Sequence, residues 1–325
     1  MLLTNSYRGS ILLINVPSTD NLDEMALRFY FDAWERIIRL LSDFTENYQI
    51  DVAEVESEHI HKEEWDEYIE QAQSEMGAIF ALIQQSAELR LKAIICKTSP
   101  FLLLNGLSYK TSEQCDIDFT EQRTLDAVDL PSAVRTLTDF ELPDKYLGQY
   151  ASMRRLRNQY MHLGSHKGSL THHQIVKILS EQYLSLWPGG RWLYRRVRFD
   201  GNSARRYFHD ERYSSVQSNV MLELPCIIGV MDNAVFKKAI GCSKSKLNGY
   251  CPICMSALAS KWDTDGHATA YRTGSDTAKC AMCETELTLK TSKQECFCEG
   301  KLFVGHDPEL YDPICFSCGL GLDEE

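Results

Sequence analysis

No stretch of this 325-residue sequence approaches the 18 or more consecutive apolar residues that a membrane-spanning helix requires. The run Ile11-Leu12-Leu13-Ile14-Asn15-Val16-Pro17 is too short to span. It also lacks the basic leader and small-residue cleavage site of a secretory signal. These absences predict a cytoplasmic protein with no membrane partner. No internal repeat or low-complexity tract is present, so the organisation is one of domains, and the length suffices for two or three with real cores. Positive charge is scarce at the start: residues 1–90 hold 18 Asp and Glu against 6 Lys and Arg. They account for the whole net charge of −12, and the rest of the chain carries 28 of each sign. An acidic first third repels nucleic acid, so an RNA path avoids it. Most of these acids fit a solvated helical surface.

Helical periodicity runs through most of the first 187 residues. Ser18-Thr19-Asp20 supplies caps for a first helix, with Asp23 and Glu24 in its first turn and Phe31, Trp34, Ile37, Ile38, Leu41 and Phe44 along its apolar stripe. A second, long helix is expected over about 62–97, stopping before Pro100, and 105–122 reads as a polar loop. Further helices are expected near 123–138, 145–164 and 172–186, making a five-helix bundle over 1–187. At Trp187-Pro188-Gly189-Gly190 the pattern changes. Residues 188–240 read as a basic, aromatic connector whose segments Trp192-Leu193-Tyr194 and Cys226-Ile227-Ile228-Gly229-Val230 fit strands and short helices equally. Residues 241–325, with glycines, cysteines and short β-prone runs, read as a small β-rich, metal-stapled domain.

Within the bundle, Leu156-Arg157-Asn158-Gln159-Tyr160-Met161-His162 carries the most chemistry. At 3.6 residues per turn Asn158 and His162 stack one turn apart, and Arg157 joins them within an arc of roughly 140°. Arg154 lies a turn before Asn158, and Arg155 shares the His162 side. Met153, Leu156, Tyr160 and Leu163 occupy the opposite, core-facing side. An arginine and a histidine five apart also arise by chance on a solvated face. Asn in a helix interior costs a few tenths of a kcal/mol against Ala, which argues for a use at position 158. A fixed cation, an amide and a group titrating near neutrality suit proton transfer beside a phosphate.

Arg157-Asn158-x-x-x-His162 resembles the R-(polar)-x(3)-H signature of HEPN domains, helical bundles found in RNases of toxin–antitoxin, abortive-infection and CRISPR systems. The resemblance covers about residues 20–187. It includes Ala87-Glu88-Leu89-Arg90-Leu91-Lys92-Ala93, running into Thr98-Ser99-Pro100-Phe101-Leu102-Leu103-Leu104, which is similar to the second helix of many such domains. The fold class expected is therefore mainly α: a HEPN-like bundle followed by the connector and the small zinc domain. The resemblance implies a homodimer in which two copies of the motif meet, and a toxin or antiviral role held in check by an antitoxin or another defence-system partner.

Eight of the twelve cysteines form close pairs near the end: Cys251/Cys254, Cys280/Cys283, Cys296/Cys298 and Cys315/Cys318. Two cysteines two residues apart grip one ion from a tight turn, and two such pairs complete a tetrahedron, so two structural Zn²⁺ ions are expected and no catalytic one. Disulfides fit the arrangement less well. Cys296-x-Cys298 is tighter than usual, leaving His306 or His267 as a substitute ligand. The gap between Cys283 and Cys296 suits a zinc-ribbon hairpin, which would pair Cys251/Cys254 with Cys315/Cys318. Sequential and cross-braced pairings are equally buildable. His61-Lys62-Glu63 matches the H-x-E of zinc deaminases, but the companion P-C-x-x-C is missing. Cys96, Cys115, Cys226 and Cys242 are expected as buried thiols.

Residues 187–215 hold seven arginines, no lysine and three acids, interleaved with aromatics. Arginine forks grip phosphates and aromatic faces stack bases, which makes Arg195, Arg196 and Arg198, together with Arg154 and Arg155, candidate RNA contacts. Docking against the acidic first third is an equal reading.

The expected function is a metal-independent endoribonuclease leaving 2′,3′-cyclic phosphate ends, with Arg157, Asn158 and His162 as the catalytic residues. The first rival is a non-catalytic scaffold that binds nucleic acid or protein and carries a structural zinc domain. A DNA-reading regulator ranks last, because 241–325 is not markedly basic and shows no recognition helix.

Overall fold

The computed structural model describes residues 13–52, 54–55, 61–106, 116–163, 170–201, 216–258, 266–291, 296–298, 302–304 and 314–320. It is mainly helical over its first three quarters and closes on a small antiparallel sheet that holds the cysteine clusters. Two compact units share the chain. The first comprises Met1–Tyr30 and Phe80–His166, the second Phe31–Ile79 and Lys167–Glu325.

Helix α1 (Thr19–Tyr48) starts where the caps predict, with Ser18 Oγ accepting from Asn21 N at 3.1 Å. Its first turns and the second part of α3 (Gln73–Thr98) belong to the first unit, where Arg90 pairs with Asp23 at 2.9 Å. A two-residue strand, β1 (Leu13–Ile14), pairs in parallel with β2 (Ile117–Asp118), and Asn15 Nδ2 donates to Asp118 Oδ2 at 2.6 Å. Helix α4 (Leu130–Leu137) is shorter than the periodicity predicts. Residues 123–125 are extended against 103–105 through Asn105 N to Arg123 O and Leu125 N to Leu103 O, both 2.8 Å, so the helix waits until Leu130. Helix α5 (Asp144–Leu163) follows and buries Tyr146, Tyr150 and Met153 along one stripe.

The expected single helix over 62–97 is two helices, α2 (Lys62–Gln71) and α3, divided at Ala72. The cause is a buried amide. Gln73 Nε2 donates to Ile69 O at 2.9 Å and to Leu170 O at 3.0 Å, while its Oε1 accepts from Leu170 N at 2.7 Å. One side chain thus satisfies both the N–H and the C=O of a residue 97 positions away.

In the second unit the later turns of α1 supply the predicted stripe: Phe31, Trp34, Ile37, Ile38, Leu41 and Phe44 are all buried. The same unit holds α6 (His172–Leu186), opened by a Thr171/Gln174 capping box, α7 (Trp192–Gly201), α8 (Val216–Val230) and α9 (Asn233–Ile240), with α7 packed on α8 and α9, and α6 on α9. The segments at 192–194 and 226–230 are therefore helical. Trp192 is the hinge of the aromatic core, with ring centroids 4.8 Å from Trp34 and 5.6 Å from Phe31, both edge-on. After the short helix α10 (Pro252–Ser256), strands β3 (Ala270–Arg272), β4 (Thr277–Cys280), β5 (Glu286–Thr291), β6 (Leu302–Val304) and β7 (Ile314–Cys315) form one antiparallel sheet in that order.

Candidate functional site

Arg157, Asn158 and His162 lie on α5, so their spacing is a helical one. The imidazole of His162 and the side chain of Leu163 lie outside the described residues. Arg155 and Asn158 are exposed, Arg154 and Arg157 half-buried. Arg157 Nη1 donates to Asn158 Oδ1 at 3.2 Å, and Arg155 Nη2 to Ser152 Oγ at 3.0 Å. The Asn158 amide nitrogen stays available as a donor. Met153 is buried as expected, whereas Leu156 and Tyr160 are only half-buried.

The arginines of this face differ from the others of the first unit in their partners. In the first unit Arg28 pairs with Glu24 (3.7 Å), Arg90 with Asp23 (2.9 Å), Arg123 with Asp126 and Arg135 with Asp144 (both 3.0 Å). Among the described residues, Arg154, Arg155 and Arg157 have no carboxylate at ion-pair distance. Three guanidinium groups on neighbouring turns repel one another, and an anion relieves that repulsion. Glu88 accepts from Gln84 Nε2 at 3.1 Å. Burial and the Glu88 charge push the Tyr150 hydroxyl up, with Arg154 opposing, and that hydroxyl donates to Ala127 O at 2.8 Å. Periodicity places Tyr150 in the core and gives no hint of this polar neighbourhood.

The connector arginines divide differently from the sequence reading. Arg196 is only 1% exposed; it pairs with Asp200 and with Glu223 (2.6 Å), and its guanidinium sits 5.8 Å over the Phe31 ring. It is committed to the interior and unavailable to a phosphate, which corrects its place among the RNA contacts. Arg191 pairs with Glu284. Arg195 lies 5.7 Å over Tyr183, and Arg198 is exposed beside Tyr194. Arg205, Arg206 and Arg212 lie outside the described residues.

The eight paired cysteines assemble into two clusters, Cys251/Cys254/Cys280/Cys283 and Cys296/Cys298/Cys315/Cys318, with the ligand atoms of each all within 4.8 Å of one another. Pairing is thus sequential, and the ribbon-type pairing of Cys283 with Cys296 is not formed. The β3–β4 hairpin carries Cys280 to the Cys251 turn, while β5 runs on to pair with β6. Sulfur separations are 3.7 Å for Cys251···Cys283 and for Cys254···Cys280, 3.4 Å for Cys296···Cys318 and 3.6 Å for Cys298···Cys315. A tetrahedron with metal–sulfur bonds of about 2.3 Å has edges of about 3.8 Å, whereas a disulfide needs about 2.05 Å. Met282 N and Cys283 N point at Cys280 Sγ at 3.4 and 3.5 Å. Hydrogen bonds from Cys251, Cys254 and Cys280 hold the Cys283 thiol well below its ordinary value, while contacts with the same set push Cys254 above it. Such a set ionises fully only around a cation. The donor set therefore fits a metal ion at each cluster. Neither cluster includes His267, and His306 lies outside the described residues.

Thr269 and Thr285, with hydroxyls 3.5 Å from Cys280 Sγ and 3.2 Å from Cys283 Sγ, escaped the sequence reading. Thr285 is signalled only by standing two residues after a ligand, and Thr269 by nothing. Of the remaining thiols, Cys96 and Cys242 are buried, and Cys115 lies outside the described residues. Cys226 is half-buried, pushed up to about 12 by burial and the Glu223 charge. A cleft of about 240 Å³ in the second unit, lined by His172, His173, Asp232, Asn233 and Lys244 among others, also escaped notice because its walls come from four separate segments. Among the described residues no helix is long and apolar enough to cross a membrane. No protein-family model, no curated protein and no solved structure matches this chain.

Proposed function

We propose that the protein is a metal-independent endoribonuclease of HEPN type. The observation that carries this reading is the α5 face on which Arg154, Arg155 and Arg157 have no carboxylate at ion-pair distance among the described residues and stand beside Asn158, one turn from the His162 position. A phosphodiester is the anion that such a cation–amide–imidazole set can both bind and transform.

In the reaction, the RNA 2′-oxygen attacks the adjacent phosphorus and the bond from phosphorus to the 5′-oxygen breaks. The products are a 2′,3′-cyclic phosphate and a free 5′-hydroxyl. A base removes the 2′-proton and an acid delivers one to the leaving oxygen. Imidazole, with an ordinary pKa of about 6.5, serves either role near neutrality. Two copies of His162 meeting across a homodimer would divide the roles, as the resemblance to HEPN nucleases implies. Arg157 stabilises the charge that grows on the phosphoryl oxygens. Asn158, its carbonyl occupied by Arg157, directs its NH₂ to the phosphate or to His162.

Zinc is the proposed occupant of both cysteine clusters. Four thiolates leave no open position for water, so each ion supplies cross-linking of the fold and no chemistry on RNA. The thiolates and the absence of a membrane-spanning helix among the described residues suit the reducing cytosol. An enzyme of this kind serves as a toxin or antiviral effector and needs a partner or trigger that restrains it.

The test is incubation of the purified full chain with single-stranded and transfer RNA in EDTA beside His162→Ala. Cleavage that persists with chelator, leaves cyclic-phosphate ends and vanishes in the variant supports the reading. RNA binding without cleavage by both proteins replaces it with the scaffold.

A further inference from the structure

The two cysteine clusters have the same ligands and unlike surroundings. In the first, Cys251, Cys254 and Cys280 are buried and Cys283 is half-buried. In the second only Cys315 is buried; Cys296 and Cys318 are half-buried and Cys298 is exposed. Phe297, between two ligands, is 91% exposed. Two pairs of sulfurs in this cluster bridge opposite turns within 4 Å, Cys296···Cys318 at 3.4 Å and Cys298···Cys315 at 3.6 Å.

The Cys315–Cys318 turn is also held without the ion. Tyr250 N donates to Phe316 O at 2.9 Å, Cys315 N donates to Leu320 O at 2.8 Å, and the Phe316 ring packs on Gly249. One half of the second cluster is thus anchored beside the first, and the other half faces solvent.

We propose that the second cluster is an oxidation site: a peroxide-class oxidant converts its four thiolates into the disulfides Cys296–Cys318 and Cys298–Cys315 and expels the metal, while the first cluster keeps its ion. The inference rests on metal occupancy of both clusters and is independent of the nuclease reading. The exposed Cys298 sulfur attacks a peroxide oxygen, the O–O bond breaks, and a sulfenic acid and hydroxide result. The Cys315 thiolate then attacks the Cys298 sulfur, the S–S bond forms, and a second hydroxide leaves. Two electrons pass from each pair to one peroxide, so two peroxides are consumed as both pairs close. Disulfide sulfurs are poor donors to zinc, and the ion is released. Reactivity follows exposure of the thiolate, which is why the two clusters part company.

The experiment loads the full chain with zinc, measures the metal content, and adds hydrogen peroxide in steps. Released zinc is read with a chromogenic chelator, and cysteines are mapped by alkylation and mass spectrometry. One ion of two is expected to appear, with Cys296–Cys318 and Cys298–Cys315 disulfides, alkylatable thiols at the first cluster, and recovery on adding dithiothreitol and zinc. Cys298→Ser is expected to slow the release. Simultaneous loss of both ions, disulfides at the first cluster, or retention of both ions would overturn the proposal. Fewer than two ions at the outset would overturn it together with the metal reading. RNA cleavage enters none of these readouts, so failure here and failure of the nuclease reading are separable.

Discussion

The ring of Phe316 occupies the space that a side chain at Gly249 would need: a Cβ there would lie 2.0 Å from Cζ. With the neighbouring bond from Tyr250 N to Phe316 O, this contact joins the strand leading into the first cluster to the last turn of the second. Gly249→Ala forces the ring out and is expected to cost about 1–3 kcal/mol. A lowered denaturant midpoint together with weaker metal retention checks it; an unchanged midpoint would show that the ring moves freely.

Arg196 and Arg198 lie half a turn apart with opposite fates. Arg196→Ala leaves Asp200 and Glu223 without their buried cation, and a loss of about 3–5 kcal/mol is expected. Arg198→Ala, on the exposed side, should stay within about 0.5 kcal/mol. Urea unfolding of the two variants side by side measures the difference.

Removing the metal should loosen the C-terminal sheet while leaving the first unit helical. Cys254→Ser is expected to lower the zinc content from two ions to one, and a strong chelator to abolish amide protection across β3–β5. Elemental analysis and hydrogen exchange read the two effects. Full protection of β3–β5 in the metal-free protein would make the clusters dispensable for folding.

Hydrogen bonds from the Thr120 side chain and backbone, and from Asn15, hold the Asp118 carboxyl below its usual range. A carboxyl depressed on folding adds stability above its unfolded value near pH 4, and that contribution fades as pH falls through the folded value. The β1–β2 pairing should therefore weaken below about pH 4, and Asp118→Asn should remove the dependence. NMR shifts of the Leu13 and Ile14 amides across an acid titration report it.

What could be read from the sequence was local. Ser18 announced a helix start because a cap bonds within three residues, and the cysteine pairs announced clusters because their spacing is itself the ligand geometry. What could not be read depends on partners far along the chain. The break at Ala72 needs Leu170, and the pairing of the cysteine turns needs the register of β3 on β4. Arg196 and Arg198 are the same residue type two positions apart, and only the Glu223 carboxylate, 27 residues from Arg196, turns one inward. Neither the Arg157–Asn158 contact nor the absence, among the described residues, of a carboxylate at ion-pair distance from Arg157 could be read from spacing.

The interleaving of the two units has a consequence for synthesis on the ribosome. Met1–Tyr30 and Phe80–His166 are all present once residue 166 has been made, but Phe31–Ile79 must wait for the segment that begins at Lys167. At about 5–20 residues per second, the 167–325 stretch takes roughly 10–30 s to add. During that interval Phe31 and Trp34 lack the Trp192 ring and Phe31 lacks Phe199, so apolar surface stays uncovered while synthesis continues. The helix bearing Arg157 is complete before any cysteine of either cluster has been polymerised.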